Sequence, residues 1–232
     1  MTVSQLIIRL VFLTAPLWLN DFYKFYLPKE ADVLSEVLDV IIYVCWQTSI
    51  IYFAYQANWF DFSSIGLKNI DWRSEFKSGC IYLLLVLLIY LFLSAIVHYG
   101  EELLSGKTPP SGHPEPPKWN IYLVHLHLVY ISLTAGFFEE FIYRGIIINQ
   151  LEKKMTGKFR IVIVSSLIFV LIHWSLSYTI WVLSFLLGLL WAYLYLREKR
   201  MFALIFSHAV FDYLSFSGVL ENFLYLFGIT AI

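Results

Sequence analysis

The chain has 232 residues, of which 59% are apolar and only 14% are charged. Soluble domains average roughly 25% charged residues, so this composition predicts an integral protein that crosses a membrane several times. The formal net charge of −1 gives no support to nucleic-acid binding. The apolar runs leave no room for a soluble domain of useful size, so we expect a single membrane domain in contact with the lipid bilayer.

Apolar segments follow one another along the chain and predict an all-α, polytopic helix bundle with about seven to eight transmembrane helices. A helix needs about 20 mostly apolar residues to cross a bilayer. Five prolines lie within residues 100–118 and predict a loop outside the bilayer. The predicted helical segments are 3–19, 37–59, 79–99, 119–151, 161–178, 180–196 and 201–218, followed by a short run that ends at Ile232.

The Lys and Arg residues predict the orientation of the bundle. The two most basic short links are residues 152–160 and 197–200. They fall on one side of the membrane if the segments between them both span, and the link 61–77 falls there as well. The positive-inside rule then places the N-terminus and these links in the cytoplasm, with the proline-rich loop on the opposite side.

Several polar residues in the apolar segments are expected to be structural. Cys45 and Cys80 lie in or beside apolar segments, so we expect small buried side chains rather than a disulfide or a metal pair. His125 and His127 lie early in the fourth segment and are two residues apart, which puts them on different helix faces. We expect both of them at the wet end of that helix.

Two adjacent carboxylates and an arginine lie inside the fourth segment, where ionisable groups are expensive and therefore functional candidates. Glu140 and Arg144 are four residues apart on one helix face, which predicts a neutralising ion pair, because a buried charge needs a partner. Glu139 is rotated by about 100° from Glu140 on a helix and has no arginine in that position. We therefore expect Glu139 to be a desolvated carboxylate without an ionic partner, suited to acid–base catalysis.

Further ionisable groups occur in later segments: His173 in the fifth, and His208 and Asp212 in the seventh. A lone histidine in a membrane helix is commonly a helix–helix hydrogen-bonding residue. Counting from the cytoplasmic ends at 1.5 Å per residue, Glu139 and His173 lie about 20 Å deep, and the other two about 12 and 18 Å deep. Groups from three segments therefore share one layer, which predicts a common site.

A carboxylate with two histidines supports two mechanisms of hydrolysis. In the first, Glu139 and His173 activate a water molecule, and His208 with Asp212 stabilises the oxyanion. In the second, a divalent metal activates the water, with Glu139, His173 and His208 as ligands. The sequence contains no His-Glu-x-x-His and no Gly-x-Ser-x-Gly motif, which weakens the helical-zinc and serine-nucleophile alternatives.

Three motifs occur in order on successive segments: Glu-Glu-x-x-x-Arg at 139–144, Phe-x-x-x-His at 169–173 and His-x-x-x-Asp at 208–212. Together they resemble the CAAX-protease and bacteriocin-processing family of intramembrane endopeptidases, also called the Abi family, over about residues 119–220. The resemblance implies that Glu139 and His173 activate water and that His208 and Asp212 form the oxyanion side. It also implies that Glu140 and Arg144 hold the site.

The resemblance also bears on cofactor, substrate and domain organisation. The family is described both as a glutamate type without metal and as metalloproteases, so either no cofactor or a divalent metal such as zinc is implied. A membrane-associated protein or peptide is the expected substrate, in the plasma membrane of a prokaryote; a prenylated C-terminus, a leader peptide and a sorting signal all stay open. Residues 1–118 would supply N-terminal helices and the proline-rich loop, 119–220 the catalytic core, and 221–232 a short C-terminal helix.

One position departs from the prenyl-protease branch of that family, in which the last motif usually ends in Asn. Here the residue is Asp212, and an ionised carboxylate cannot donate a hydrogen bond to an oxyanion. Asp212 would therefore be protonated, orient His208, or bind a metal.

Two other classes of function are compatible with an intramembrane polar layer. The first is a non-proteolytic membrane scaffold or bacteriocin-immunity-type protein, in which the polar groups only hold helices together. The second is a proton-coupled transporter, because intramembrane Glu and His also mark proton relays. The sequence shows no internal repeat between its halves, which argues against the transporter.

Overall fold

A computed structural model describes residues 2–26, 37–68, 70–105, 120–174 and 176–229. The prediction of an all-α protein is confirmed, since the described ranges form helices and contain no strand. The helices are α1 (Val3–Tyr26), α2 (Val37–Gln56), α3 (Trp72–Ser105), α4 (Ile121–Glu152), α5 (Lys158–Val170), α6 (Tyr178–Glu198), α7 (Met201–Phe216) and α8 (Val219–Tyr225).

Four of the described helices, α2, α3, α4 and α6, are long and apolar enough to cross a membrane. Helices α7 and α8 meet this condition only as a pair, and the pair is bent by 63°. The apolar part of α1, Val3–Leu19, and the 13-residue α5 are shorter than a full span. The described residues therefore hold four or five candidate crossings, and the predicted seven to eight are not confirmed.

Several predicted helix boundaries are wrong. Helix α1 continues to Tyr26, past the predicted end at residue 19, and α3 extends beyond both of its predicted ends. Hydropathy marks where a helix lies in hydrocarbon, not where its hydrogen bonding stops, so polar helical ends were assigned to links. The remainder of the proline-rich loop, residues 106–118, lies outside the described residues.

The two cysteines were predicted to be buried, and this prediction is wrong. Cys45 on α2 and Cys80 on α3 are free thiols on exposed helix faces. In a membrane bundle the outer faces of the helices meet lipid rather than water, so a small apolar side chain is stable there without burial in protein.

The basic links meet at one end of the bundle, which we call the basic end (residues 57–77, 152–160 and 197–200). The Nζ of Lys199 donates to Glu152 at 2.8 Å, and the Nζ of Lys153 donates to the carbonyl oxygen of Trp59 at 2.9 Å. These contacts bring the last residues of α4 and α6 beside the link after α2. The opposite end, called the far end, holds the start of α4 and the end of α7.

A carboxylate on α3 fixes the start of α7 at the basic end. Glu75 accepts a hydrogen bond from the backbone N–H of Ala203 at 2.9 Å, and its other oxygen lies 3.5 Å from the guanidinium of Arg200. The first N–H groups of a helix have no partner within the helix, so the carboxylate satisfies one of them and complements the helix dipole. Helix α7 is thereby held in register with α3.

Helices α4 and α7 approach each other closely at Gly136. A Cβ at this position would lie 2.9 Å from the backbone nitrogen of Ala209 and 3.0 Å from its Cβ, which is too close for any side chain. Small residues allow membrane helices to pack this tightly. Because Gly136 lies one turn before Glu139 and Ala209 follows His208, the contact sets how near these two side chains come.

We expect Gly136→Ala to lower the free energy of unfolding by about 1–3 kcal/mol, since the added methyl group meets backbone that cannot move aside. Thermal unfolding in detergent micelles would measure the loss. The matched control is Gly100→Ala on α3, where a Cβ meets nothing within 4 Å. Equal melting temperatures for the two variants would contradict the expectation.

Candidate functional site

A cavity of about 420 Å³ lies among α2, α4, α6 and α7, with the end of α5 in its wall. The four residues predicted to be catalytic all line it: Glu139, His173, His208 and Asp212. Most of the other lining side chains are aliphatic or aromatic. Pockets of this size, mostly apolar with a few polar groups, are typical of ligand and substrate sites.

His208 connects carboxylates from α4 and α7. Its Nδ1 lies 2.7 Å from Oε1 of Glu140, and because an ionised carboxylate can only accept, Nδ1 donates. Its Nε2 lies 3.4 Å from Oδ2 of Asp212 and 3.8 Å from Oε2 of Glu139. One buried imidazole thus contacts three carboxylates, of which Glu139 and Asp212 line the cavity.

The ion pair expected between Glu140 and Arg144 is present, with 3.2 Å between Nη1 of the arginine and the oxygen that His208 also contacts. The side chains are 0% and 1% exposed. The guanidinium carbon of Arg144 lies 4.3 Å from the ring centroid of Phe169 and 5.4 Å from that of Trp191. The guanidinium of Arg144 is therefore stabilised by cation–π contacts with two rings as well as by its ion pair with Glu140.

Trp191 on α6 forms a wall of the site against His208. The two rings are stacked with centroids 4.3 Å apart and an interplanar angle of 18°. The indole N–H of Trp191 donates to the hydroxyl of Ser207 at 3.2 Å, which fixes the ring in its plane. The imidazole is therefore held by a hydrogen bond at one edge and by an aromatic ring on one face.

The sequence predicts a regular α-helix around the acidic motif, and this prediction is wrong. Within α4, residues Glu140–Ile147 form a π-helix, and all eight of them are buried. Short π-helical segments are rare and occur frequently at functional sites. Glu139 was expected to lie apart from the ion pair of Glu140 and Arg144. Both carboxylates in fact approach His208, each at a different ring nitrogen.

Tyr43 on α2 is a site residue that the sequence analysis missed. Its hydroxyl donates to Oε1 of Glu139 at 2.5 Å, and its buried ring packs edge-on against Phe138 with centroids 6.1 Å apart. Glu139 is therefore not without a partner. Tyr43 lies outside the region of family resemblance and is one of 16 tyrosines, so no signal in this single sequence could have singled it out.

We expect Tyr43→Phe to lower the turnover rate of a reaction that uses Glu139 about tenfold with little change in KM. A hydrogen bond to a charged group contributes roughly 1.5–3 kcal/mol, and its loss leaves Glu139 less well oriented. The control is Tyr195→Phe, because Tyr195 is fully buried and its hydroxyl has no hydrogen-bond partner among the described residues. A variant of Tyr43 that acts like this control would show that the hydroxyl does not position Glu139.

His173 lines the cavity, as expected of a site residue. The prediction that it lies within a membrane helix is wrong. It ends a 3-10 turn, Leu171–His173, that follows α5. Its carbonyl oxygen accepts from the indole N–H of Trp181 at 2.6 Å, while its ring atom Nδ1 has no hydrogen-bond partner in the described part of the chain. The turn therefore presents His173 to the same space as Glu139 without tying its side chain to the other site residues.

The side chains suggested as metal ligands do not form a three-ligand set. In the described ranges, no group of three or more His, Cys, Asp or Glu could hold a metal ion. Nε2 of His208 lies 3.8 Å from Oε2 of Glu139, and His173 does not join these two side chains in a set that could hold an ion. The metal-dependent mechanism with Glu139, His173 and His208 thus stays a prediction that the arrangement does not support.

The two histidines early in α4 have different surroundings. His125 is exposed, and its Nδ1 lies 3.0 Å from the hydroxyl of Tyr213 on α7. His127 lines the cavity at its far end, close to where Asp39 accepts a hydrogen bond from Tyr130 at 3.3 Å. The expectation of an interfacial position fits His125, whereas His127 belongs to the wall of the site.

The fold and the site define a helical membrane protein with a cluster of buried carboxylates and histidines at a cavity inside its bundle. Residues 121–214 match the protein-family model described as "Type II CAAX prenyl endopeptidase Rce1-like". A Bacillus subtilis (strain 168) protein named "Putative membrane peptidase YdiL" is 34% identical over 92 residues, which are 40% of this chain and 36% of that protein. No solved structure is similar enough to this chain to count as a match.

Both similarities agree with the family resemblance that the three motifs predicted, which is confirmed for this part of the chain. They support a membrane protease of the CAAX-endopeptidase type as the general class of protein. The aligned region spans only about a third of the Bacillus relative's length. The region matched by the family model, residues 121–214, contains α4 to α7 almost completely, and so it includes every predicted site residue but not Tyr43.

Proposed function

We propose that this protein is an intramembrane endopeptidase that hydrolyses a peptide bond in a membrane-associated protein or peptide. The observation that carries the proposal is the environment of His208, which contacts Glu140 through one nitrogen and faces Asp212 and Glu139 through the other. An ion pair that only holds helices together would need no more than Glu140 and Arg144. The cavity also contains two further carboxylates and two histidines, which can accept a proton from water and donate a hydrogen bond to an oxyanion.

In the proposed reaction, Glu139 and His173 hold a water molecule in the cavity. Glu139 accepts a proton as the water oxygen attacks the carbonyl carbon of the scissile bond. The negative charge that develops on the carbonyl oxygen is stabilised by N–H donation from Nε2 of His208, which requires a proton on both ring nitrogens because Nδ1 donates to Glu140. The C–N bond then breaks, and Glu139 returns the proton to the leaving amine.

Three roles were considered for Asp212, and orientation of His208 fits its position best. Its Oδ2 lies 3.4 Å from Nε2 of His208, one helical turn away on α7. A carboxylate at this distance attracts the imidazolium ring and holds it in place, without itself having to donate to the oxyanion. We propose this role rather than a protonated Asp212 or a metal ligand.

The organisation of the whole chain follows from this proposal. Residues 119–220 form the catalytic core, residues 1–118 add α2 with Tyr43 to the wall of the site, and 221–232 form the C-terminal part. We also propose that α1 and α5 enter the bilayer although the apolar part of α1 and the whole of α5 are short, which gives seven to eight intramembrane helical segments in the plasma membrane of a prokaryote. Shorter helices are accommodated by local thinning of the bilayer.

Mass spectrometry of membrane peptides tests the proposal, with cells that express either the native chain or the Glu139→Gln variant. We expect peptides that end at one defined bond to appear with the native chain alone. Addition of 1,10-phenanthroline to the isolated membranes separates the mechanisms, because a metal-free site keeps its activity. Identical peptides from both strains, with a less stable variant protein, would support the scaffold or immunity-type alternative instead.

A further inference from the structure

Two basic side chains at the basic end, Arg9 on α1 and Lys153 directly after α4, are held by the same residue, Trp59. The guanidinium carbon of Arg9 lies 4.7 Å from the centroid of the Trp59 ring. The Nζ of Lys153 donates to the carbonyl oxygen of Trp59 at 2.9 Å. Positive charges from two separate parts of the chain therefore lie around one residue of the link after α2.

A buried glutamine on α4 fixes this arrangement. Gln150 is fully buried, and its Oε1 accepts a hydrogen bond from Nη1 of Arg9 at 2.9 Å. Its Nε2 donates to the carbonyl oxygen of Trp59, which Lys153 also contacts. Rotation of the amide would break buried hydrogen bonds at both of its ends, which is costly. Gln150 therefore holds the guanidinium of Arg9 in place without help from a ligand.

The two cations lack an anionic partner. Lys199 at the same end is paired with Glu152, but no carboxylate of the described residues forms an ion pair with Arg9 or Lys153. Partial burial, followed by the nearby charge of Arg9, lowers the pKa of Lys153. Asp61 acts in the opposite direction, but its Oδ1 already accepts from two backbone N–H groups of its own turn. Two like charges in proximity repel each other, so an anion between them would be stabilised by both.

An exposed aromatic surface adjoins the two cations on the side nearer the middle of the bundle. Phe12 follows Arg9 by one turn of α1, and Phe53 lies one turn before the end of α2. These two rings and that of Trp59 pack edge-on against one another, with centroids 5.4 to 5.9 Å apart. Phe12 is 39% and Phe53 51% exposed. In a bilayer, such faces meet acyl chains.

We propose that Arg9 and Lys153 bind the phosphate of an anionic phospholipid whose acyl chains lie against Phe12 and Phe53. A guanidinium presents its N–H groups in a planar fork that matches phosphate oxygens, and an ammonium group adds a compact charge. Basic pockets between membrane helices bind anionic headgroups in this way. A zwitterionic phospholipid is a poorer ligand, because its own ammonium group adds a third positive charge to the site.

Native mass spectrometry of the full chain in detergent micelles tests this site without requiring any turnover. The probes are dioleoyl phosphatidylglycerol and dioleoyl phosphatidylcholine, which have the same acyl chains and differ in headgroup charge. The variants Arg9→Gln and Lys153→Gln each remove one cation. The matched control is Lys154→Gln, because the exposed side chain of Lys154 makes no hydrogen bond or ion pair in the described part of the chain.

We expect the native chain to bind phosphatidylglycerol about tenfold more tightly than phosphatidylcholine, and each of the two variants to bind phosphatidylglycerol about fivefold more weakly than the native chain. Lys154→Gln should bind it as the native chain does. Lys153 is exposed, so its replacement leaves the fold intact and a loss of binding in Lys153→Gln is a direct effect. Equal affinity for the two lipids, or native affinity in Lys153→Gln, overturns the inference.

Thermal unfolding in detergent distinguishes a lipid from a free anion. We expect phosphatidylglycerol to raise the melting temperature of the native chain more than that of Lys153→Gln, because a ligand of the folded state stabilises it by mass action. Inorganic phosphate at the same concentration should have no such effect, since it has no acyl chains to contact Phe12 and Phe53. Equal stabilisation by inorganic phosphate would assign the site to a free anion and refute the phospholipid.

Discussion

Glu139→Gln is expected to lower the rate of peptide-bond cleavage by about 10²–10⁴-fold, the usual contribution of a general base. The amide has nearly the same shape as the carboxylate and can still accept the hydrogen bond of Tyr43, but it cannot take up the proton of an attacking water. The melting temperature should therefore change little. Single-turnover cleavage in membranes and thermal unfolding in detergent would measure the two effects separately.

The matched control for this substitution is Glu152→Gln. Glu152 is on the same helix, but it lies at the basic end and pairs with Lys199 on the protein surface. Exposed ion pairs contribute only about 0–1 kcal/mol, so this variant should cleave at the native rate. Native activity in the Glu139→Gln variant would remove Glu139 from the mechanism and, with it, the proposed function.

Arg144→Met is expected to cost about 3–5 kcal/mol of unfolding free energy, because it leaves the carboxylate of Glu140 buried without its cationic partner. Arg144 is also in contact with the rings of Phe169 and Trp191, so its packing is lost as well as its charge. Chemical denaturation in detergent would give the difference. Addition of Glu140→Gln to the Arg144→Met variant should recover part of the loss, since it removes the buried negative charge that Arg144 had balanced.

Arg197→Met provides the comparison, because Arg197 is 65% exposed and lies 3.8 Å from Glu198. Its replacement should change stability by less than about 1 kcal/mol. If Arg144→Met were as stable as Arg197→Met, the buried pair would not be what holds the acidic motif in place. The supporting role assigned to Glu140 and Arg144 would then have to be abandoned.

The site could be found largely from the sequence because its groups are ionisable and lie in hydrocarbon. Glu139, His173 and His208 are easily recognised among neighbouring Ile, Leu and Phe residues. Their similar predicted depths indicated a common site, and all three line one cavity. The cost of a charge in an apolar medium is the physical reason that so simple a rule succeeds. The geometric roles inferred from helical spacing were less accurate, since a regular α-helix was assumed around Glu140.

What the sequence did not show depends on tertiary structure. The π-helix Glu140–Ile147 was not predicted, because the apolar pattern of a sequence does not separate a short π-helical segment from the α-helix around it. Tyr43 is a common residue type in an apolar helix, and only its hydrogen bond to Glu139 makes it part of the site. The ends of α1 and α3 were misplaced because polar helix outside the bilayer resembles a link in composition.

The buried pair of Glu140 and Arg144 also bears on the membrane's permeability to ions. A cavity that reaches from the far end to Glu139 carries an aqueous compartment part of the way across the bilayer, so the insulating layer is thinner there than in lipid. What remains of it is the packed region behind the site, in which Glu140 and Arg144 balance each other's charge and every residue from Glu140 to Ile148 is buried. An ion that entered this region would lose its hydration without gaining a partner, which is strongly unfavourable. The bundle can therefore expose the candidate site to water without short-circuiting the membrane potential.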